Sequence, residues 1–129
     1  MVNIGIIGLG GIAGAHIPAY ETLENARLVA RCDRDPARAA GTAGGITINL
    51  GAGGTGAGDA RVYTDYRELL RDPEVEAVDI CLPTDLHAEV AVAALRAGKH
   101  VLCEKPMALT VADCDRMIAA SEAAGRMLM

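Results

Sequence analysis

Gly8-Leu9-Gly10-Gly11-Ile12-Ala13 has the form G-x-G-x-x-A and stands between an apolar run, Val2 to Ile7, and a segment with helical spacing. In that setting each small residue has a physical task. Gly8 permits a tight turn, Gly10 lets the backbone approach a pyrophosphate, and Ala13 lets helix and strand pack closely, so that an anion can rest on the helix N-terminus. Gly11 and Ile12 complete the same turn and share its candidate site. The spacing alone is weak, because glycine turns are common. It gains weight from the strand before it, the helix after it and an acid further on, which together read as a dinucleotide site. That acid is Asp33, directly after the second apolar run. Its carboxylate would accept hydrogen bonds from ribose hydroxyls and repel a 2′-phosphate, which favours NAD. Arg34 could instead clamp that phosphate, which keeps NADP open. The plainer alternatives are a turn-forming Asp33 and a solvated Arg34.

Two later stretches end apolar runs in the same way. Leu82-Pro83-Thr84-Asp85-Leu86-His87 follows the fourth run and Glu104-Lys105-Pro106 the fifth. If the sheet is parallel, both lie at its ligand-facing edge, with Pro83, Thr84 and His87 toward a nicotinamide. His87 reads equally well as a cap or a satisfied surface histidine. Lys105 is the candidate catalytic residue, a donor to a substrate hydroxyl or carbonyl oxygen held by the adjoining proline. It reads equally well as part of a surface turn. His16 and His100 have weaker claims, and the histidine spacings make no case for zinc.

The elements that must position these residues alternate between short apolar runs and helical patterns, the signature of β-α-β units. Strands are expected at 2–7, 27–32, 61–63, 77–82 and 99–103, with a sixth beginning at 127–129. After the glycine turn, Ile12, Ala13, Ile17 and Tyr20 recur at helical spacing, across a Pro18 that must kink the helix or free a carbonyl. Pro36 suits the first turn of a short helix, and Asp65 and Glu68 stand at capping-box spacing ahead of Leu69 and Leu70. Thr84 is the expected cap of a helix running through Ala97, with Gly98 its left-handed stop. Thr110 and Asp113 should cap a last helix that turns Val111, Cys114, Met117 and Ile118 inward and closes at Gly125. The expected fold is therefore a three-layer α/β/α doubly wound parallel sheet, a Rossmann domain over 1–129. A glycine-rich insertion at 41–58 breaks the pattern and reads as a loop, either without a role or covering the adenosine half of a ligand.

Composition narrows the partners. The chain has 129 residues, half of them apolar, and a net charge of −5, with three Tyr and neither Phe nor Trp. Nothing in it offers a basic, aromatic surface for nucleic acid, and no apolar run is long enough for a membrane span. A cytoplasmic protein is expected. Cys32, Cys81, Cys103 and Cys114 match no C-x-x-C or zinc pattern, so reduced, structural thiols are expected. Three of them fall near strand ends, which leaves a functional role open.

The chain resembles the glucose-fructose oxidoreductase, inositol dehydrogenase and rhizopine catabolism family, Gfo/Idh/MocA. The likeness rests on Ile4–Ala13, Cys32–Pro36, Val62–Tyr66, Cys81–Thr84 and above all Ala97–Pro106, with its Ala-Gly-Lys-His strand and Glu-Lys-Pro turn. It implies an NAD(P)-dependent oxidoreductase acting on a hydroxyl or carbonyl of a sugar, cyclitol or similar polyol. It implies that Lys105 helps place the reacting oxygen while Glu104 and Pro106 shape its turn. Cofactor contacts are implied from Gly8, Gly10, Ile12, Asp33, Pro83, Thr84 and His87, with Gly11, Ala13, Arg34 and Glu104 in the same site. Two departures stand out: the insertion at 41–58, and no counterpart of the family's second domain, which carries a catalytic histidine. The expectation is a homo-oligomeric family whose front portion, taken alone, binds cofactor without turnover. A stand-alone NAD(H)-binding regulatory or redox-sensing module is the alternative.

Overall fold

The computed structural model describes residues 1–41 and 59–129. Most of the glycine-rich insertion, including Ile46, Ile48 and Leu50, lies outside the described residues. The elements are β1 (Val2–Ile7), α1 (Ala13–Thr22), β2 (Ala26–Cys32), α2 (Pro36–Ala39), β3 (Arg61–Tyr63), α3 (Tyr66–Arg71), β4 (Ala77–Ile80), α4 (Thr84–Arg96), β5 (His100–Cys103) and α5 (Val111–Ala124). All strand pairs are parallel, in the order β3-β2-β1-β4-β5. This is the doubly wound Rossmann arrangement expected from the alternating pattern, with helices covering both faces.

Each face has its own core. Leu69, Leu70, Val75, Val90, Leu95 and Met117 pack on one side with Val78 and Ile80, while Ile4, Ile6, Leu9, Ala13, Ile17 and Leu28 pack on the other. Helix α1 runs on through Pro18, which has no N–H to return to the carbonyl of Gly14. Asp35, Asp65 and Thr110 cap α2, α3 and α5 by accepting the N–H groups of Ala37, Arg67 and Asp113. Gly98 and Gly125 take the left-handed stops expected of them.

Four details differ from the sequence reading. Thr84 is the first residue of α4 rather than its cap, because Pro83 fills the cap position. Strand β4 ends at Ile80, although the Cys81 N–H still donates to the Ile7 carbonyl at 2.8 Å. The sixth strand is one parallel bridge between Val101 and Leu128. On α5 the packing stripe is Met117, Ala120 and Ala124, and Ile118, about 100° round the helix from Met117, is exposed with Val111. Small alanines let α5 approach α4, and that contact decides which face turns inward. Among the described residues no helix is long and apolar enough to cross a membrane.

Candidate active site at the switch point of the sheet

Strand order reverses between β1 and β4, and the crevice beyond their carboxyl ends is where such sheets take ligands. Gly8 enters it with φ of +91°, its N–H donating to the Cys32 carbonyl at 2.8 Å. A Cβ there would stand 2.7 Å from the Cys81 carbonyl oxygen, so both backbone shape and space require glycine. Gly10 and Gly11 differ: neither has a left-handed φ, and a Cβ on either would meet nothing within 4 Å. The chain's own packing does not need glycine there. Ala13 is fully buried against the sheet, and Ile12 is exposed at the helix start.

Asp33 is buried at the end of β2. One carboxylate oxygen accepts the N–H of Leu9 and the other that of Asp35, each at 2.9 Å. The acid thus ties the glycine turn to the next strand. Arg34 is exposed beside it. Arg38, which the sequence reading missed, reaches from α2 to within 4.0 Å of Asp33 and 3.7 Å of Asp35. One turn of helix separates Arg38 from the acid, a spacing with no motif to mark it.

Across the crevice, Pro83 is exposed and Thr84 half-buried at the start of α4. His87 is buried, its Nδ1 2.9 Å from the Pro106 carbonyl and its Nε2 2.8 Å from that of Leu82. Both ring nitrogens thus meet carbonyl oxygens, in the core rather than at the surface. Lys105 is exposed, joined to Pro106 by a cis peptide bond, and its ammonium makes no hydrogen bond or ion pair with the described residues. It borders an open groove of about 550 Å³ with Cys103, Glu104, Met107, Ile118 and Met129. Glu104 accepts the Lys105 N–H at 3.0 Å, and this bond, first among the causes, holds its carboxyl below its ordinary range.

His16, which had a weak claim in the sequence, lies at the centre of this edge. Its Nδ1 is 2.8 Å from the Asp79 carboxylate and its Nε2 3.0 Å from that of Glu104. Asp79 is fully buried on β4 and also accepts the Tyr20 hydroxyl at 2.8 Å. Cys81 comes close enough that His16, Asp79 and Cys81 each offer a donor atom within 4.8 Å of one another. Spacing could not show that grouping, and hydrogen bonds account for it. Asp79 sits in an apolar run and read as part of a strand. The four cysteines are free thiols, with Cys32 and Cys81 buried. Burial pushes the Cys32 thiol up to about 12 and the Cys103 thiol up to about 11, with nearby carboxylates adding to both. Burial raises the Cys81 thiol too.

The arrangement suits a dinucleotide. The glycine turn leaves open space at Gly10 and Gly11, a buried acid follows β2, and an exposed lysine follows β5, the positions at which such a fold would take a diphosphate, a ribose and a reacting group. Comparison with known proteins agrees. The Gfo/Idh/MocA family, described as an oxidoreductase family with an NAD-binding Rossmann fold, matches residues 2–129. Inositol 2-dehydrogenase of Salmonella typhimurium is 38% identical over 129 residues, covering 99% of this chain and 35% of the relative. An uncharacterized oxidoreductase of Rhizobium meliloti is 43% identical over 129 residues, covering 98% and 35% respectively. A 3-ketoreductase of Actinomadura kijaniata, solved with NADP, superposes with a TM-score of 0.84 at 32% identity, covering 99% of this chain and 37% of its own. The WlbA dehydrogenase of Bordetella pertussis, solved with NADH and UDP-GlcNAcA, gives a TM-score of 0.82 at 31% identity, covering 98% and 36%. The chain therefore spans about a third of the length of these relatives. With the fold, the fingerprint and the whole-chain match in agreement, the chain belongs to the Gfo/Idh/MocA oxidoreductase family as an NAD-binding Rossmann domain.

Proposed function

We propose that this chain holds NAD(H), and less tightly NADP(H), across the crevice between β1 and β4, as the nucleotide-binding portion of a polyol or sugar oxidoreductase. The observation that carries the reading is the pairing of two features at one sheet edge. The turn at Gly8–Ala13 is open outward at Gly10 and Gly11, and the exposed Lys105 stands beyond β5 on the other side of β4. When bound, the nicotinamide supplies hydride transfer; the rest is the work of side chains. Asp33 accepts from the adenosine ribose, and Gly10, Gly11 and the start of α1 face the diphosphate. Pro83 and Thr84 border the nicotinamide, while His87 acts through the carbonyls of Leu82 and Pro106. Lys105 donates to the oxygen on the carbon that gives up or accepts the hydride and steadies the negative charge on that oxygen.

Arg34 and Arg38 both stand near Asp33 and could pair with a 2′-phosphate, while the Asp33 carboxylate would repel it. Titration with NADH and NADPH tests the reading. Tighter binding of NADH supports it, equal binding moves the ribose contact from Asp33 to the two arginines, and no binding of either overturns it. The substrate class follows from relatives that carry the names inositol 2-dehydrogenase and 3-ketoreductase.

A further inference from the structure

We propose that His16 is a positioning residue, a doubly hydrogen-bonded imidazolium that fixes the Lys105 turn to the helix that starts at the glycine turn. Each ring nitrogen of His16 faces a carboxylate oxygen, Asp79 at 2.8 Å and Glu104 at 3.0 Å. An ionised carboxylate accepts only, so the ring satisfies both contacts only by carrying a proton on each nitrogen. The Asp79 oxygen on this contact also takes the Tyr20 hydroxyl, while the other lies 3.5 Å from the Cys81 thiol. A neutral ring would leave a nitrogen lone pair pointed at an anion.

From Glu104 the chain of contacts continues to the candidate catalytic group. The carboxylate that takes His16 on Oε1 takes the Lys105 N–H on Oε2 at 3.0 Å. Asp79 of β4, His16 of α1 and Glu104 after β5 therefore form one line that ends on the backbone of Lys105. His87 grips the same turn from its far end through the Pro106 carbonyl at 2.9 Å. The Lys105 side chain is exposed, and its ammonium has no partner among the described residues. Small misplacements of a group that must meet a reacting atom cost large factors in rate, so a lysine on a turn needs this support.

Electrostatics agree with the geometry. Burial works against charging His16, but its hydrogen bonds to Asp79 and Glu104 and their negative charge outweigh burial, and its pKa is raised. The titratable groups that face it are Tyr20 on its own helix, Asp79 and Cys81 from β4 and its end, and Glu104 from the end of β5, with Lys105 next along. The proposal rests on the reading of this crevice as a cofactor site only for its consequence, so binding is measured separately from the contact.

The experiment follows the His16 ring and the Lys105 amide by NMR against pH in the wild-type chain, His16→Gln and Glu104→Gln. In wild type, the ring should carry both protons to a pH above the ordinary imidazole range, and the Lys105 amide shift should follow the same curve. Glu104→Gln should lower that midpoint, and His16→Gln should abolish the Lys105 inflection and speed exchange of its amide about tenfold, with core amides such as Ile6 unchanged. A ring that titrates at its ordinary value, or a Lys105 amide indifferent to His16, overturns the proposal. Should His16→Gln fail to fold, the Glu104→Gln midpoint decides. NADH titration of the same samples keeps the two readings apart: wild type that fails to bind NADH removes the cofactor site, whatever the ring does.

Discussion

The Asp33 carboxylate accepts the backbone N–H of Leu9 at 2.9 Å, so the acid beyond β2 holds the glycine turn beyond β1 in place. Asp33→Ala would then remove a ribose acceptor and a support of the diphosphate turn together. A hydrogen bond to a charged group is worth about 1.5–3 kcal/mol, or roughly ten- to a hundredfold in affinity. Calorimetry should find NADH weakened by at least that range in Asp33→Ala. Arg34→Ala, which removes an exposed side chain, should change NADH binding little and NADPH binding more. An Asp33→Ala chain that binds NADH as wild type does would remove Asp33 from the site.

The glycines of the turn should separate stability from binding. Gly8→Ala forces a left-handed φ on a side chain and drives its Cβ onto the Cys81 carbonyl. Strain of this kind costs about 1–3 kcal/mol before the clash is counted, so the thermal midpoint should fall clearly. Gly10→Ala meets no neighbour and should leave that midpoint within a degree or two of wild type while lowering NADH affinity. Calorimetric melts run beside the binding titrations distinguish the two, and a Gly10→Ala chain with normal binding would show that the diphosphate lies elsewhere.

How much of this was legible in the sequence depends on what each residue touches. Gly8, Asp33 and the Glu-Lys-Pro turn stand out because each directly follows an apolar run, although the bond from Leu9 to Asp33, 24 residues apart, does not show in that pattern. His16 and Asp79 could not, since their partnership spans 63 residues of chain and needs β1 and β4 to lie side by side. Asp79 reads as one polar residue in an apolar strand, and only the strand order brings it under α1. Of the four residues expected inward on α5, Met117 is buried and Cys114 half-buried, but Val111 and Ile118 are exposed, for a related reason. Val111 and Ile118 are large and apolar, yet the helix turns inward the face on which Met117 is joined by the small Ala120 and Ala124, which allow close contact with α4.

Lys99 shows a second charge whose role only the fold reveals. It is buried, and its ammonium donates to the carbonyls of Asp72 and Val75 at 2.8 and 2.7 Å, bracing the connection between α3 and β4. Burial lowers its pKa, yet both contacts need a donor. Lys99→Met takes this donor from both carbonyls, leaving that of Asp72 only the Val75 N–H at 3.3 Å, and should cost about 1–3 kcal/mol in urea denaturation. Lys105→Met, on an exposed side chain, should cost little. Equal midpoints for the two variants would deny Lys99 this role.

The pH dependence of stability should carry the mark of His16 and Glu104. The folded pKa of His16 lies above its ordinary 6.5, so its contribution is complete below that value and is lost as pH rises through the raised one. Glu104 is shifted down from 4.5, so its contribution is present above that value and is lost as pH falls through the depressed one. Their joint contribution is greatest between these limits. A separate alkaline loss is expected above the ordinary thiol value of 9.0, where Cys32, Cys81 and Cys103 ionise in the unfolded chain but not in the folded one. Urea midpoints from pH 3 to 10 should show all three declines. In His16→Gln, the decline on the near-neutral side of the thiol limb should disappear, and its persistence would assign that decline to another group.

The chain by itself should bind NAD(H) and turn over no polyol. Hydride transfer from a carbinol needs a base within hydrogen-bond reach of the hydroxyl proton. The groups nearest Lys105 are already engaged: Glu104 accepts from His16 and from the Lys105 amide, His16 is held between two carboxylates, and His87 is buried between carbonyls. Lys105 can steady the oxygen as a donor, but a donor does not remove the proton. The groove beside it is open, so a bound polyol would keep much of the freedom whose loss supplies about 7–11 kcal/mol of barrier reduction. The relatives are about three times as long as this chain, which leaves room in them for a second wall and a base. The measurement is NADH formation with inositols, sugars and other polyols at saturating NAD. Background rates should hold throughout, whereas turnover that survives repurification and vanishes in Lys105→Met would establish these residues as a complete catalytic centre.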